Sequence, residues 1–323
     1  MKKRWVFTGV TVFLAALFLA GVLGVGKSTE WFGLEKLISP ESADWQYEYQ
    51  TTWDPALDSV DGLQIAWGNG PVYIQVGEGN MVTVTEFSTR PLEQEERFKL
   101  VSSGGELNVQ WDHNLLPLSM FQDLEKRLVV ELPREIASQL EELRCSNVSG
   151  NVDVSEVTAQ TASITSAKGD VTLYSVQGEE ANVSTVSGDI QWTVGKAEKL
   201  SAETSSGWLR LYQVQAKECA LSSVTGDLDF QGSGETFAVD NVSGPVRLEL
   251  SACPQEGDFR SVSGKISVTL PENNGFEAAY SSVSGHFSSD FPGTGENGSL
   301  QYGLGTGKLR FTTTSGDMAV RRK

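Results

Sequence analysis

The chain has 323 residues, which is enough for one or two domains, and its formal net charge at pH 7 is −17. Six of its basic residues lie at the two extreme ends, so the body between them is more acidic still, and this excludes nucleic acid and anionic lipid as its partners. Glycine and serine are abundant, and helical periodicity is missing after residue 145. These features predict an all-β fold.

The first segment predicts a membrane anchor. Residues 1–4 form a basic flank, and residues 5–26 follow without a charge. A run of about 22 residues can cross a bilayer as a helix, and basic flanks stay in the cytoplasm. The sequence therefore predicts an uncleaved transmembrane signal anchor in the cell membrane, with the body outside. Gly24 and Gly26 leave open a cleaved signal peptide, in which case the body is secreted.

A phosphate-binding pattern lies in the same segment. Residues 21–28, which begin with Gly21 and end with Ser28, match G-x-x-x-x-G-K-[ST]. This loop cradles phosphates only between a buried strand and a helix N-terminus in an α/β domain. A membrane segment leaves no room for such a unit, so we interpret the match as coincidental. The sequence predicts no nucleotide and no other cofactor.

Residues 27–56 are predicted to form a juxtamembrane tether that ends in an aromatic stretch. In DWQYEYQTTW, alternation places Trp45, Tyr47 and Tyr49 on one face of an extended segment. An aromatic row can stack on sugar rings, which makes these residues candidates for ligand binding. The alternative is a cap in which the rings cover the end of the fold, since large apolar faces are usually buried by their own chain.

Residues 57–145 contain three strand patterns, GLQIAWGNGPVYIQV, MVTVTEF and LVVELP. Gly70 lies inside the first pattern and predicts a corner, and Pro133 ends the last one. We interpret this region as an N-terminal β cap with the first irregular coils. A cap is expected because the terminal coil of a stacked sheet would otherwise expose an open edge.

Residues 146–320 are built from an internal repeat. Each copy centres on a glycine that usually follows Ser or Thr, as in TVSGDIQW and SVSGKISV. Successive glycines are 19, 19, 19, 19, 18, 20 and 21 residues apart, and a last copy, TTSGDMAV, follows. Gly307 is a candidate for a further, degenerate copy. The repeat glycines are Gly150, Gly169, Gly188, Gly207, Gly226, Gly244, Gly264, Gly285 and Gly316.

A period near 19 residues predicts a single-domain β-solenoid with one coil per repeat. Apolar residues recur two and four positions after the glycine and five positions before it, as at Val171, Leu173 and Ile164. Each coil therefore has at least two strands with inward-facing side chains. Nine or ten coils, stacked at roughly 4.8 Å each, would extend about 45 Å. Each glycine lies at a corner between two strands, where glycine can adopt positive φ without strain.

The three cysteines are too few and too scattered for a disulfide framework or a zinc site. Cys145 and Cys219 fit apolar columns of the repeat and are predicted to be buried free thiols. Cys253 falls in an irregular coil and has no predicted place. At the C-terminus, the last coil would present a free edge for end-to-end assembly, which the basic tail of residues 321–323 opposes by its charge.

The order of these features resembles a known family. A membrane segment flanked by Lys and Arg, an early GNGPVYIQV strand pair, a LVVELP strand and serial VSGD(I/V)-type coils are similar to the bacterial putative-adhesin family of β-strand-repeat proteins, a domain of unknown function. The resemblance covers roughly residues 57–320. Several copies depart from it, with Trp208, Pro245, Lys265 or His286 after the glycine instead of Asp. It implies a surface role and supplies no catalytic residues.

Neither histidine marks a catalytic or metal site. His113 and His286 have no nucleophile or metal ligand at a recognisable spacing. Trp208 is predicted to point outward after its glycine, which makes it a further candidate for ligand binding.

The Asp column raises the alternative of a calcium site. Asp170, Asp189, Asp227 and Asp317 share one position of the repeat, and stacked carboxylates can supply the oxygen ligands that Ca²⁺ prefers. The column is interrupted, however, and the nonapeptide Ca²⁺ repeat is absent. We therefore interpret these residues as solvated turn positions and predict no metal.

Together, these features predict a membrane-anchored, extracytoplasmic surface protein that is not an enzyme. The favoured function is a binding or adhesion module for envelope glycan or a membrane protein. An accessory of an envelope-stress sensing system is the alternative. A polysaccharide-processing enzyme, which would use carboxylates such as Asp170 and Asp189, is less favoured.

Overall fold

The computed structural model describes residues 47–54, 59–111, 124–296 and 298–323. The predicted membrane anchor, the phosphate-loop match, Trp45 and His113 lie outside the described residues. Within the described ranges, no helix is long and apolar enough to cross a membrane. The described residues form an all-β fold built of stacked coils, as the repeat predicts.

Strands account for nearly all of the regular structure. In chain order they are β1 (Tyr47–Trp53), β2 (Gly62–Trp67), β3 (Val72–Val76), β4 (Val82–Ser88), β5 (Lys99–Ser103), β6 (Glu106–Gln110), β7 (Lys126–Leu132), β8 (Leu140–Ser149), β9 (Val152–Ser155), β10 (Thr158–Lys168), β11 (Val171–Ser187), β12 (Ile190–Ser206), β13 (Leu209–Thr225), β14 (Leu228–Ser233), β15 (Thr236–Ser243), β16 (Val246–Leu250), β17 (Glu256–Ser261), β18 (Ile266–Leu270), β19 (Gly275–Ser282), β20 (Phe287–Ser289), β21 (Ser299–Gly303), β22 (Gly307–Thr313) and β23 (Met318–Arg322). A 3₁₀ turn (Gln94–Glu96) and the helix α1 (Arg134–Ala137) are the helical elements of the described chain.

Two parallel ladders of strands run the length of the molecule. We call the strands that follow the repeat glycine the front ladder and the strands that precede it the back ladder. The front ladder runs β7, β3, β9, β11, β12, β13, β14, β16, β18, β23 and β20. The back ladder runs β6, β2, β8, β10, β11, β12, β13, β15, β17, β22 and β19. The long strands β11 to β13 belong to both ladders.

Each regular coil has three sides. Side chains alternate inward and outward except at two bends, where two successive residues point outward, as at residues 174–175 and 179–180. In four successive coils the first bend contains a residue with φ of 54–57°. The next coil omits this residue, because the register shifts between Tyr212 and Val214. The omission explains why its period is 18 instead of 19. The four left-handed residues are Glu156, Ser175, Val194 and Gln213.

The apolar columns of the repeat form one continuous core. The residues two and four positions after the glycine and five positions before it are buried in every repeat coil except the coil of residues 275–289. Cys145 and Cys219 are buried free thiols in this core, as predicted, and burial raises the pKa of each to about 12. Trp192 fits because residue 195 is glycine: a Cβ there would lie 2.3 Å from the Trp192 Nε1.

The repeat glycines stack directly on one another, which explains their identity better than positive φ does. In all nine repeat coils, a Cβ on the glycine would lie 1.9–2.4 Å from the carbonyl oxygen of a neighbouring corner glycine. Six corner glycines, counting Gly70, have φ of 97–150°, but Gly188, Gly264, Gly285 and Gly316 do not. Positive φ therefore accounts for six of these ten corner glycines and not for the other four. Close backbone approach is the requirement that all of them share.

A polar column lies three residues before the glycine, and it is buried in every repeat coil except the terminal one, where Ser282 is half-buried. Its members are Asn147, Ser166, Thr185, Thr204, Ser223, Asn241, Ser261, Ser282 and Thr313. Thr185 Oγ1 donates to Gly169 O at 3.0 Å, and Gly264 N donates to Ser261 Oγ at 2.8 Å. Such bonds satisfy backbone groups that the close stacking hides from water.

The coils are not stacked in chain order at either end. At the N-terminal end, the coil of β2 and β3 lies between the coil of β6 and β7 and the coil of β8 and β9. At the C-terminal end, the coil of β22 and β23 lies between the coil of β17 and β18 and the coil of β19 and β20. The first and the last coil of the chain are therefore each inserted one position inside the stack.

This order corrects two expectations at the C-terminus. Gly307 does not centre a degenerate copy, because it begins β22, the strand that leads to Gly316. The basic tail is not at the free end of the stack either, since it continues the inserted coil. Its three side chains form ion pairs there, Arg321 with Asp290 at 2.9 Å, Arg322 with Glu272 at 3.2 Å and Lys323 with Glu249 at 2.7 Å.

Antiparallel strands and a buried ion pair close the N-terminal end. β4 pairs with β7, β1 with β4, and β5 with β6. Inside this cap, Lys126 Nζ lies 2.5 Å from Glu86 Oε2, and both side chains are 0% exposed. The ammonium also donates to Glu96 O at 2.7 Å and lies 4.9 and 4.1 Å from the ring centroids of Trp67 and Trp111. Burial lowers the pKa of Lys126 to about 8 and raises the pKa of Glu86.

One antiparallel strand and a cluster of aromatic rings close the C-terminal end. β21 pairs with β19. The rings of Phe276, Phe291 and Tyr302 have centroids 4.9–5.6 Å apart, and Tyr280 stacks on Phe287 at 4.2 Å. Among the described strands, β20 pairs with β23 only, so its second edge is open.

Candidate binding surface

The structure places the sequence candidates in two separate regions. Tyr47 and Tyr49 lie in β1 at the N-terminal end. Tyr49 packs against the core, with its ring 5.5 Å from that of Phe98 and under the guanidinium of Arg97 at 4.4 Å. Tyr49 therefore covers the end of the fold, which favours the cap interpretation, whereas Tyr47 is 41% exposed. Trp208 lies in a middle coil of the stack.

Trp208 belongs to a long edge formed by the repeat corners. We call this edge, made of the two residues before each repeat glycine and the one after it, the glycine edge. Nine coils contribute to it, and at about 4.8 Å per coil it is about 40 Å long. Equivalent positions of neighbouring coils lie above one another, so the edge carries three straight rows of side chains.

The first row is apolar. The position two before the glycine is Val in six of the nine coils and Ala, Ser or Thr in the others. Four of these valines are exposed, Val148 by 42%, Val242 by 44%, Val262 by 49% and Val283 by 84%. The row lies outside the core and forms a ridge of methyl groups.

The second row carries hydroxyl groups. The position before the glycine is Ser or Thr in every coil but one, where it is Lys168. Ser243 Oγ donates to Val224 O at 3.3 Å, and Ser263 Oγ donates to Val242 O at 3.3 Å. Because these two serines donate their protons to backbone carbonyls of the neighbouring coil, their oxygens keep lone pairs for an outside donor. The edge therefore presents hydrogen-bond acceptors beside the valine methyl groups.

The third row explains the Asp column. Asp170 Oδ1 accepts the backbone N–H of Asp189 at 2.8 Å, and Asp189 Oδ1 accepts that of Trp208 at 2.8 Å. Burial raises the pKa of Asp189, and the Trp208 N–H opposes this shift. These bonds occupy oxygens that Ca²⁺ would need. In the described parts of the chain, no group of three or more His, Cys, Asp or Glu side chains could hold a metal ion.

Trp208 replaces Asp in this row near the middle of the edge. Its ring is half-buried, and the guanidinium of Arg210 lies 4.0 Å from the ring centroid. The cation holds the indole by a cation–π contact. The edge thus combines an aromatic ring, methyl groups and hydroxyl acceptors, a set that suits the CH faces and hydroxyl groups of a sugar.

The remaining candidates lie apart from one another. His286 is exposed in the third row of the terminal coil, with Nδ1 3.7 Å from Asp317 Oδ1. Cys253 is half-buried and lines a cavity of about 420 Å³ together with Asn273 and Thr306. Burial raises the pKa of its thiol to about 11, which favours the protonated form.

Trp208 was a candidate from the sequence, whereas the valine and hydroxyl rows were not predicted as parts of a binding surface. The valine before Ser-Gly is apolar and was not distinguished from the core columns. The signal is nevertheless present in the repeat, because the position three before the glycine is always Asn, Ser or Thr. Once that polar column is known to be buried, alternation turns the following valine outward.

Comparison with known families identifies the fold. The family model described as Toastrack DUF4097 matches residues 60–321. This chain belongs to the Toastrack DUF4097 family. This membership confirms the resemblance of the sequence to the bacterial putative-adhesin family, a domain of unknown function. The matched range contains the whole glycine edge of the Toastrack domain.

Several solved structures are similar to the Toastrack domain at low sequence identity. A putative adhesin from Bacteroides fragilis is 12% identical, with 85% of this chain and 97% of that chain covered and a TM-score of 0.44. A putative adhesin from Parabacteroides distasonis is 10% identical, with 84% and 97% covered and a TM-score of 0.43. A putative lipid binding protein from Parabacteroides distasonis is 13% identical, with 85% and 97% covered and a TM-score of 0.39. These likenesses carry no conclusion about function. No curated protein matches the chain.

Proposed function

We propose that this Toastrack domain is a non-catalytic binding module that holds an extended, uncharged envelope glycan along the glycine edge. The observation that carries the proposal is the repetition of three side-chain rows over nine coils. A ligand that repeats along its own length can use such a surface many times, whereas a compact ligand can use only one coil.

The shape of the edge favours a linear polymer. It is about 40 Å long and three side chains wide. Protein interfaces of standard size bury about 800 Å² on each partner and usually centre on a packed apolar patch. A narrow ridge of valines and serines provides neither this area nor a broad apolar patch. It does provide a continuous contact surface for a single extended chain.

The chemistry of the edge favours an uncharged sugar polymer. Valine methyl groups and the Trp208 ring can contact the CH faces of sugars, and the serine oxygens can accept sugar hydroxyl protons. The net charge of −17 disfavours polyanionic polymers. The predicted anchor of residues 5–26 would hold the domain outside the membrane, where envelope glycans lie.

The test is co-sedimentation of residues 47–323 with purified insoluble envelope glycan of the native cell. These residues contain the whole hydrophobic core, which extends from Leu63 to Val320. The edge variant combines Trp208→Ser with Val242→Asn. The control variant combines Tyr212→Ser with Val194→Asn, which removes one exposed aromatic ring and one exposed valine outside the glycine edge.

We expect saturable retention of the unmodified domain and of the control variant, and at least tenfold weaker retention of the edge variant. Equal retention of the two variants would contradict the role of the edge. Absence of retention on glycan, together with capture of one membrane protein from solubilised membranes, would contradict the proposal. That result would support an accessory role in envelope-stress sensing.

A further inference from the structure

The coil of β22 and β23 is an insert within the C-terminal end of the solenoid. Its strands pair on one side with β17 and β18 and on the other side with β19 and β20. Both neighbouring coils precede the inserted coil in the sequence. We call the space between the coil of residues 256–270 and the coil of residues 275–289 the slot.

The repeat pattern indicates that the two coils beside the slot could also stack directly on each other. Gly285 follows Gly264 by 21 residues, close to the regular period, so the two coils have the spacing of direct neighbours. Both carry the same SVSG corner, and Ser261 and Ser282 each accept the N–H of their own glycine at 2.7–2.8 Å. Stacking Gly285 directly on Gly264 would preserve the glycine and polar columns. The inserted coil is therefore not needed to complete either neighbour.

We propose that the slot is an exchange site, which residues 307–322 fill either from their own chain or from a second copy of this chain. The contacts within the slot are the same in both cases, because the same segment pairs with the same two coils. Exchange therefore loses no contact inside the slot, and only the connection to β21 has to change. The proposal does not depend on glycan binding.

The connection between β21 and β22 is short and constrained, which favours exchange. β21 and β22 lie on opposite sides of β19, about 10 Å apart at two strand spacings. Residues 304–306 cross this distance, and the four steps from Gly303 to Gly307 can span at most about 14 Å. The crossing uses positive φ at Gly303 and Gly305, and it leaves Leu304 75% exposed. Short hinge loops under such constraint favour swapping between copies.

The first test traps the exchanged coil with a disulfide. Arg260 and Thr312 are neighbours across the slot and lie on the outer face. Full-length chains with distinguishable tags are co-expressed, one with Arg260→Cys and the other with Thr312→Cys, both in a Cys253→Ser background. We expect a covalent heterodimer under oxidising conditions. The matched control is Ser222→Cys in one chain and Asp240→Cys in the other, which are neighbours in the uninterrupted part of the stack.

The heterodimer should form with the slot pair and not with the control pair. The positive control is a chain that carries both Arg260→Cys and Thr312→Cys. An intrachain disulfide in this variant would show that the geometry of the two positions allows the bond. An intrachain bond in that variant, without any heterodimer from the mixed chains, would overturn the proposal. Equal heterodimer yield from the control pair would overturn it as well, since the contact would then not be specific to the slot.

The second test shortens the hinge. Deletion of Leu304 and Gly305 leaves two steps, which span at most about 7 Å and cannot cross β19. We expect this full-length variant to become predominantly dimeric by sedimentation in detergent, whereas substitution of both residues by serine keeps the length and should keep the parent distribution. A folded, monomeric deletion variant would overturn the proposal.

Discussion

The two ends of the solenoid have the same topology and different chemistry. At each end, an inserted coil separates the outermost coil from its neighbour in the chain. The N-terminal end is closed by three antiparallel strands around the buried pair of Lys126 and Glu86. The C-terminal end is closed by one antiparallel strand and by aromatic rings such as Phe276 and Phe291.

The two kinds of closure differ in how much displacement they tolerate. A buried ion pair is favourable only with accurate geometry and satisfied hydrogen bonds, so it tolerates little displacement. Aromatic rings gain most of their energy from burial, which is much less directional. We infer that the N-terminal end is fixed, and that the C-terminal end can repack around an exchanged coil.

The largest effect is expected for removal of the buried cation. Lys126→Met leaves the Glu86 carboxylate buried without its partner, so the free energy of unfolding should fall by about 3–5 kcal/mol. The double variant Lys126→Met with Glu86→Leu should recover most of this loss, because it removes both charges. Urea denaturation measures both values. A loss below about 1 kcal/mol in the single variant would contradict the fixed N-terminal end.

Alanine substitution of one corner glycine at each end compares the rigidity of the two ends directly. In Gly70→Ala the new Cβ would lie 1.7 Å from Lys126 O, at a position with φ of 97° between two coils. In Gly285→Ala it would lie 1.9 Å from Gly316 O, but the coil is terminal and can move outward. We expect the first substitution to cost about 3 kcal/mol and the second about 1 kcal/mol in thermal or urea unfolding. Equal costs would mean that the ends do not differ in rigidity.

The polar column gives a reference for the regular coils between the ends. Thr185→Val removes the bond to Gly169 O at 3.0 Å and should cost about 1 kcal/mol. Ser223 is equally buried, and its hydroxyl has no hydrogen-bond partner among the described residues, so Ser223→Ala should cost less than about 0.5 kcal/mol. Chemical denaturation of the two variants in parallel measures the difference. The opposite ranking would contradict a stabilising polar column.

The smallest effect is expected at the left-handed bend. Val194 has φ of 56°, which is strained for a β-branched residue. Val194→Gly should relieve this strain but increase the entropy of the unfolded chain, leaving a net stabilisation of about 0.5 kcal/mol. A measured destabilisation above about 1 kcal/mol would mean that the bend is not strained.

The coils could be predicted from the sequence, but their order could not. The spacing of the glycines and the apolar columns at Val171, Leu173 and Ile164 define one coil and its inward faces. The same regularity hides the order at the ends, because the coils of Gly285 and Gly316 share the glycine, the serine before it and a polar residue three positions before it. Either could follow Gly264. The crossing of β19 by residues 304–306 distinguishes the two orders in the structure, and the polar Ser289 in place of an apolar column residue marks the terminal coil.

The buried pair and the binding surface were hidden for a different reason. Lys126 precedes an apolar strand and has the pattern of a solvated charge, while its partners Glu86 and Trp67 come from distant strands. Long-range contacts of this kind leave no local pattern. The valines of the glycine edge were hidden by their type, since an apolar residue within a repeat is usually a core residue.

If the glycine edge binds an extended glycan through repeated, equivalent coils, a longer glycan should contact more coils. The most direct measurement is the affinity of the Toastrack domain for envelope glycan fragments of graded length. We expect the affinity to rise with fragment length and to level off when the fragment spans the edge, at about 40 Å. Equal affinity for the shortest fragment and for the polymer would contradict the account, because a single local site would then do the binding.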